Sequence, residues 1–339
     1  HVLSFLLTPA LVDAPSVDRH YMLAPGYGYV RITSWDMQTA HQLKAAIEAL
    51  GGNQLRGLVI DLRNNPGGVV KAALDGASMF LNPGQRILTA KGRFGDGETA
   101  DVPKTAHPYQ VAVAILINGK TASASEIFTG SLQDHDRATV VGEPSYGKGL
   151  VQSVMPLSGG AGLALTTAFY YTPSGRSIQR PLRNSRLSET FAANTSGARP
   201  AFKTDSGRTV TGGGGIQPDL RVYLPGQTRL ESVLDASGAI TTYATQYLSM
   251  HSPLPESFAV TPDMLDEFKV FLSLRNIQPS IAEWTAERNW LTSRLAQEVI
   301  TQARGVDKGD QIESERDQQV QEALRALRTN MLASLSRAN

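Results

Sequence analysis

The stretch "VAVAILINGKTASASEIFTGSLQD", residues 111–134, decides the fold. Val111 to Ile117 run without a polar interruption, the pattern of a strand buried on both faces. A glycine-bearing turn at 118–122 follows, and the spacing over 123–134 predicts a helix. The same grammar stands upstream. "LRGLVIDLR" (55–63) is a second buried strand, "NNPGG" (64–68) breaks it, and a helical pattern runs on to about Leu81 before "NPG" (82–84). Downstream, "ATVVGE" (138–143) reads as a third strand. Strand, glycine-bearing turn and helix, used twice, predict an α/β core with parallel strands. In such cores the functional loops lie at the carboxyl ends of the strands, where both turns fall.

The remaining chain is read outward from that core. Residues 1–12 read as a short apolar strand and 13–22 as a turn-rich linker. "GYGYVRITSW" (26–35) alternates like a strand, and Thr39 to Leu50 has helical spacing stopped by Gly51-Gly52. "LVQSVMPL", a glycine turn at 158–162 and "LALTTAFYYT" predict a hairpin within 150–180. Residues 182–215 are polar and end in four glycines, a long surface connection. From about 226 the pattern turns helical. Thr261-Pro262 suits an N-cap and first helical position, and Ser280 to Glu283 fits a capping box. Leu324, Leu327, Met331 and Leu335 form one apolar stripe, expected as core of a small helical domain.

Composition removes several classes of function. The 339 residues carry 32 basic and 31 acidic side chains, and no basic stripe suggests nucleic acid. Without cysteine there is no thiol nucleophile, disulfide framework, Fe–S cluster or cysteine-based zinc site. The six histidines, at 1, 20, 41, 107, 135 and 251, never take a ligand spacing, so no metal site is expected. The longest apolar run is far short of the ~20 residues that span a bilayer. "NNPGG" lacks both common phosphate-loop patterns, which leaves a nucleotide cofactor without support. The opening "HVLSFLL" has no initiator Met or signal peptide and reads as the continuation of something longer.

Ser123 is the natural centre of the chemistry. It ends a tight turn after a buried strand and opens a helix, whose free N–H groups can stabilise an oxyanion. The same position also suits a plain N-cap, a role open to Thr121, Ser123 and Ser125 alike. A nucleophilic serine needs a base. His135 lies twelve residues on, ~18 Å away along a helix, and His107 precedes the strand and falls at its opposite end. A Ser–His–Asp triad is therefore disfavoured. Lys148, in "GEPSYGKG" (142–149), overhangs the same edge if the third strand lies beside the second. A lysine acts as a base only where burial and neighbours neutralise it, and a solvated loop lysine is the alternative. Gln152 lies close enough in sequence to bond the amine, or is a strand-edge glutamine. Gly67 and Gly68 offer backbone amides at the mouth of the first strand, to pair with Ala124 N–H as an oxyanion hole. Asp134, Asp136, Glu126 and Glu143 are the nearby carboxylates, with no paired arrangement apparent.

Taken together, "DLRNNPGG", "NGKTASASEIF", "QDHDRATVVGEPSYGKGLVQ", "YYTPSGRSIQ" and "GGGGIQPD" resemble the successive signatures of the carboxy-terminal processing (tail-specific) serine peptidases. The resemblance runs from about residue 25 to 222. It implies a ClpP/crotonase-like spiral core with a β-hairpin extension and a C-terminal helical domain. It also implies a Ser–Lys dyad of Ser123 and Lys148, with Gln152 supporting the lysine and Asp134 at an acidic position near the site. The oxyanion hole would be Gly67, Gly68 and Ala124. The implied activity is ATP-independent endoproteolysis near the C-termini of protein substrates, free of metal and cofactor, in a periplasmic or otherwise extracytoplasmic setting. No nucleic-acid partner or integral membrane segment is implied, and homo-oligomerisation stays open. The expected organisation is the end of a truncated PDZ region and linker (1–24), a peptidase core with its hairpin (25–225) and a helical domain (226–339). An extended substrate is expected to add a strand near "LTTAFYYT".

Overall fold

A computed structural model describes residues 14–93, 97–181, 199–330 and 332. The expected strand at 1–12, residues 182–198 of the polar connection, and Met331 and Leu335 of the apolar stripe lie outside the described residues.

The uninterrupted apolar runs become the centre of a six-stranded sheet in the order β1-β2-β3-β6-β7-β12. These strands are β1 (Val17–Ala24), β2 (Tyr27–Ile32), β3 (Gly57–Asp61), β6 (Ala112–Ile117), β7 (Ala138–Gly142) and β12 (Leu220–Arg221). From β2 onward every neighbouring pair is parallel, and β1 alone is antiparallel to β2. β3, β6 and β7 lie side by side, so the loops that leave their carboxyl ends share one edge.

Alternation along these strands serves two layers. Leu58, Ile60, Val113, Ile115 and Ile117 face α1 (Thr39–Ala49), α2 (Val70–Ala77) and α3 (Ala124–Asp134) in one core cluster. Val59, Ala114 and Leu116 face the opposite way. The end of the long helical region fills that second face. Helices α4 (Arg229–Ser237), α5 (Ala239–Met250), α6 (Pro262–Ser273), α7 (Ile281–Ala286) and α8 (Arg288–Arg304) build a separate cluster around Phe268, Trp284 and Leu295. The chain then returns as α9 (Val306–Arg316) and α10 (Gln318–Arg328). Leu324 and Leu327 of the expected stripe pack with Val320 on Tyr27, Val59 and Ala114 of the sheet, not on the helical cluster. A sheet buried on both faces needs a cover on each, and α10 is the cover the sheet's own sequence demands.

Two expectations change. Residues 17–22, read as linker, belong to β1. Tyr21 faces Tyr29 and stacks on it at 4.8 Å, and Asp18 pairs with Arg31 at 2.6 Å, so the strand gains its stability from β2. The polar connection also folds back. β10 (Ala201–Lys203) and β11 (Thr209–Thr211) pair, and Ile216 is fully buried. The four glycines let this segment approach closely, since a Cβ on Gly215 would stand 2.5 Å from the Ser145 carbonyl oxygen.

The second sheet is antiparallel, in the order β5-β4-β9-β8, with β4 (Arg86–Gly92), β5 (Glu98–Asp101), β8 (Leu150–Pro156) and β9 (Gly162–Tyr171). β8 starts two residues after Lys148. The edge expected near "LTTAFYYT" is not free throughout, because β4 pairs with β9 from Ala168 to Tyr171. β8 is the outer strand.

Candidate active site

Ser123 sits between β6 and α3 with φ 57° and ψ −116°, a conformation that costs an L-residue about 1–3 kcal/mol. Such a strand-to-helix turn lifts a hydroxyl out of the sheet edge and sets it before the helix N-terminus. The strain is held by bonds on three sides. Ala122 N–H donates to the Asn65 carbonyl (3.0 Å), Thr121 Oγ1 to the Leu62 carbonyl (2.8 Å), and Tyr146 N–H to the Thr121 carbonyl (2.9 Å). Asn64 and Asn118 exchange two bonds of 3.0 Å between the first and second turns. The loops after β3, β6 and β7 therefore form one knitted surface.

Glu126 ties the serine to the lysine loop. Its carboxylate is fully buried and accepts from Ser123 N–H (2.8 Å), Ser145 Oγ (2.5 Å), Gly147 N–H (2.7 Å) and Lys148 N–H (2.8 Å). Burial holds its carboxyl above the ordinary 4.5, although all four donors pull it down. The sequence reading names Glu126 among the nearby carboxylates but gives it no role, because its partners at 145–148 are distant in sequence. The available signal was its place three residues after Ser123, the capping-box spacing.

Lys148 has its backbone fixed and its side chain exposed. Gly147 and Gly149 on either side are buried against Arg180, Gly215, Ile178 and Gln179, which turns the lysine outward. Among the described residues no hydrogen bond joins Lys148 Nζ to Ser123 Oγ or to Gln152. Gln152 is exposed on β8 opposite Thr166.

Gly67 lies directly against the Ser123 turn. A Cβ there would come within 2.8 Å of Ser123 Cβ and 2.7 Å of the Ala122 carbonyl oxygen, and its φ of 98° also demands glycine. Its amide, however, donates to Asn65 Oδ1 (2.9 Å), while Asn65 Nδ2 holds the Ile32 carbonyl (2.8 Å). Gly68 bridges to Trp35 through the bonds of its two neighbours, Trp35 N–H to Gly67 and Val69 N–H to Trp35. Its own amide therefore points away from Trp35. Neither it nor Ala124 N–H meets an acceptor among the described residues.

Asp134 stands at the far end of α3, about 15 Å along the helix from Ala124. It is buried and accepts from Arg176 Nη2 (2.7 Å), Ser174 N–H (3.0 Å) and Thr172 Oγ1, which fixes the turn after β9. His135 is engaged by Asp205 and the Arg86 carbonyl, each at 2.7 Å, and His107 is exposed in the loop before β6. Neither histidine approaches Ser123 through a hydrogen bond. Beneath the first turn, Arg63 bonds Asp61 (2.6 Å) and reaches Asp317 (2.6 Å) at the N-cap of α10, so the returning helix anchors the glycine loop. Among the described residues no cluster of three metal-ligating side chains occurs, and no helix is long and apolar enough to cross a membrane.

Comparison with known proteins centres on this same region. Residues 26–183 match the model of peptidase family S41. Over 163 residues the chain is 42% identical to the carboxy-terminal-processing protease of Bartonella bacilliformis, across 47% of this chain and 38% of that protein. Over 161 residues it is 38% identical to the chloroplastic carboxyl-terminal-processing peptidase 2 of Arabidopsis thaliana, across 46% of this chain and 30% of the relative. The solved photosystem II D1 C-terminal processing protease is 29% identical over 58% of this chain and 42% of its own, with a TM-score of 0.45. The chain thus spans well under two thirds of the length of each of these proteins.

Proposed function

Residues 26–183 match peptidase family S41, and from that match we propose that this chain is a serine endopeptidase that cuts proteins near their C-termini. Ser123 is the nucleophile and Lys148 the general base. The observation that carries this reading is the shared buried carboxylate of Glu126, which holds the amides of both residues in one rigid unit.

A bound peptide completes the site. Laid over the exposed Lys148, it excludes water from the reacting groups. The neutral amine takes the Ser123 proton, Ser123 Oγ attacks the scissile carbonyl, and the lysine returns the proton to the leaving amine. Water then releases the acyl group. The oxyanion is held by Ala124 N–H and by an amide of the Gly67–Gly68 pair, of which Gly68 is unengaged. Apart from the substrate and one water, each step uses side chains and backbone of this chain, which supports a reaction without ATP. The bacterial and chloroplastic relatives favour an extracytoplasmic setting.

The test is cleavage of one peptide with a free C-terminal carboxylate and with an amidated one, by the wild type, Ser123→Ala and Lys148→Ala. Both variants are expected to lose activity by about 10⁴-fold or more, and the free carboxylate to be preferred. Full activity in Lys148→Ala with loss in Ser123→Ala would refute the dyad; equal rates on the two peptides would remove the C-terminal preference.

A further inference from the structure

Beyond Ala168 the second sheet loses β4, whose last residue, Gly92, pairs there. What continues is a two-stranded arm, from Gln152 opposite Thr166 to Pro156 opposite Gly162. A two-stranded ribbon is marginal by itself, and natural edge strands are normally guarded by charges. This one is not. Residues 149–175 contain no Asp, Glu, Lys or Arg, although 19% of the whole chain is charged. Its side chains are instead uncharged, and several large apolar ones are open to solvent. Met155 and Leu163 pair across one face with Leu165 beside them, and Val154, 72% exposed, lies on the other.

The arm also has a fixed relation to the site. Lys148 is bonded to Glu126, β8 begins at Leu150, and β8 is the outermost strand of its sheet. A chain added along the free edge of β8 therefore runs past Lys148. We propose that this edge is an extended substrate subsite, which takes up an uncharged, apolar segment of the substrate as an added β-strand, remote from the scissile bond. The inference rests on the peptidase reading and deepens it. Main-chain bonds supply affinity without sequence preference, and the two apolar faces supply the selection against charge. A second copy of this chain is the competing occupant, less favoured because the edge starts at the lysine.

Three peptides share one cleavage sequence: a short one, one extended by alternating Val and Thr, and one extended by alternating Lys and Asp. The wild-type chain is expected to show a KM about tenfold lower for the apolar extension than for the other two. Val154→Asp and Met155→Lys should abolish that advantage while leaving the short peptide unaffected. Fluorescence anisotropy with the Ser123→Ala chain reads the same tenfold difference without turnover. Selective binding in a protein that cleaves nothing would thus refute the peptidase reading and leave the subsite standing. Equal affinity for the two extended peptides would overturn the subsite. So would variants that lower short-peptide cleavage equally, or that dissociate an oligomer in light scattering without changing peptide affinity.

Discussion

Lys148 separates two kinds of structure. On its amino side every amide from Ser145 to Lys148 is bonded to a distant part of the fold: Ser145 to Ile216, Tyr146 to Thr121, and Gly147 and Lys148 to Glu126. On its carboxyl side, beyond Val151, the arm is joined only strand to strand, uncharged and exposed. The first region has polar groups that must be satisfied in one geometry, and a change in any of them is felt at Ser123. The second offers surface rather than position. A tightly bonded loop and an unpaired strand edge thus meet at one residue.

Three substitutions break or sharpen this contrast. Gly67→Ala, on the rigid side, should be the most damaging, because its Cβ cannot avoid Ser123 Cβ and the Ala122 carbonyl. We expect kcat to fall about 10²–10³-fold and stability by about 3 kcal/mol, read by steady-state kinetics and denaturant unfolding. An active, stable Gly67→Ala protein would mean that the glycine loop is not packed on the Ser123 turn. Glu126→Gln leaves one acceptor oxygen for four donors, and kcat should fall about 10²-fold with KM little changed.

The Glu126 variant also has a pH signature. A carboxyl raised in the fold contributes most to stability below its unfolded value near 4.5, and loses that contribution as pH climbs through the raised value. The melting-temperature advantage of wild type over Glu126→Gln should therefore shrink as pH rises from 4.5. A widening gap would reverse the direction assigned to Glu126. The smallest effect belongs to the arm: Val154→Asp should leave the melting temperature within about 2 °C, since a solvent-exposed position carries little of the fold. A large loss there would place the arm among the structural elements.

The legibility of the molecule follows the range of its interactions. The strands at β3, β6 and β7 were readable because burial on both faces requires an unbroken apolar run, which is a local signal. Helix α3 and the turn before it were readable from helical spacing and a glycine-bearing turn, which are also local signals, and so was the position of Ser123. β1 was not, because its alternation of polar and aromatic residues becomes a strand only when Tyr21 finds Tyr29. The four glycines looked like a linker until the close approach to Ser145 gave them a steric role.

What the sequence by itself determined is the strand–turn–helix repeat and the identity of the residue types that can act at its turns. Those are properties of short segments, set by periodicity and turn chemistry. The tertiary structure decided which groups complete them: Glu126 between Ser123 and Lys148, Asn65 on the Gly67 amide, Asp317 under Arg63, and the open edge of β8. These pairings join residues from 2 to 254 positions apart, and a buried polar group takes whichever partner the packed fold presents.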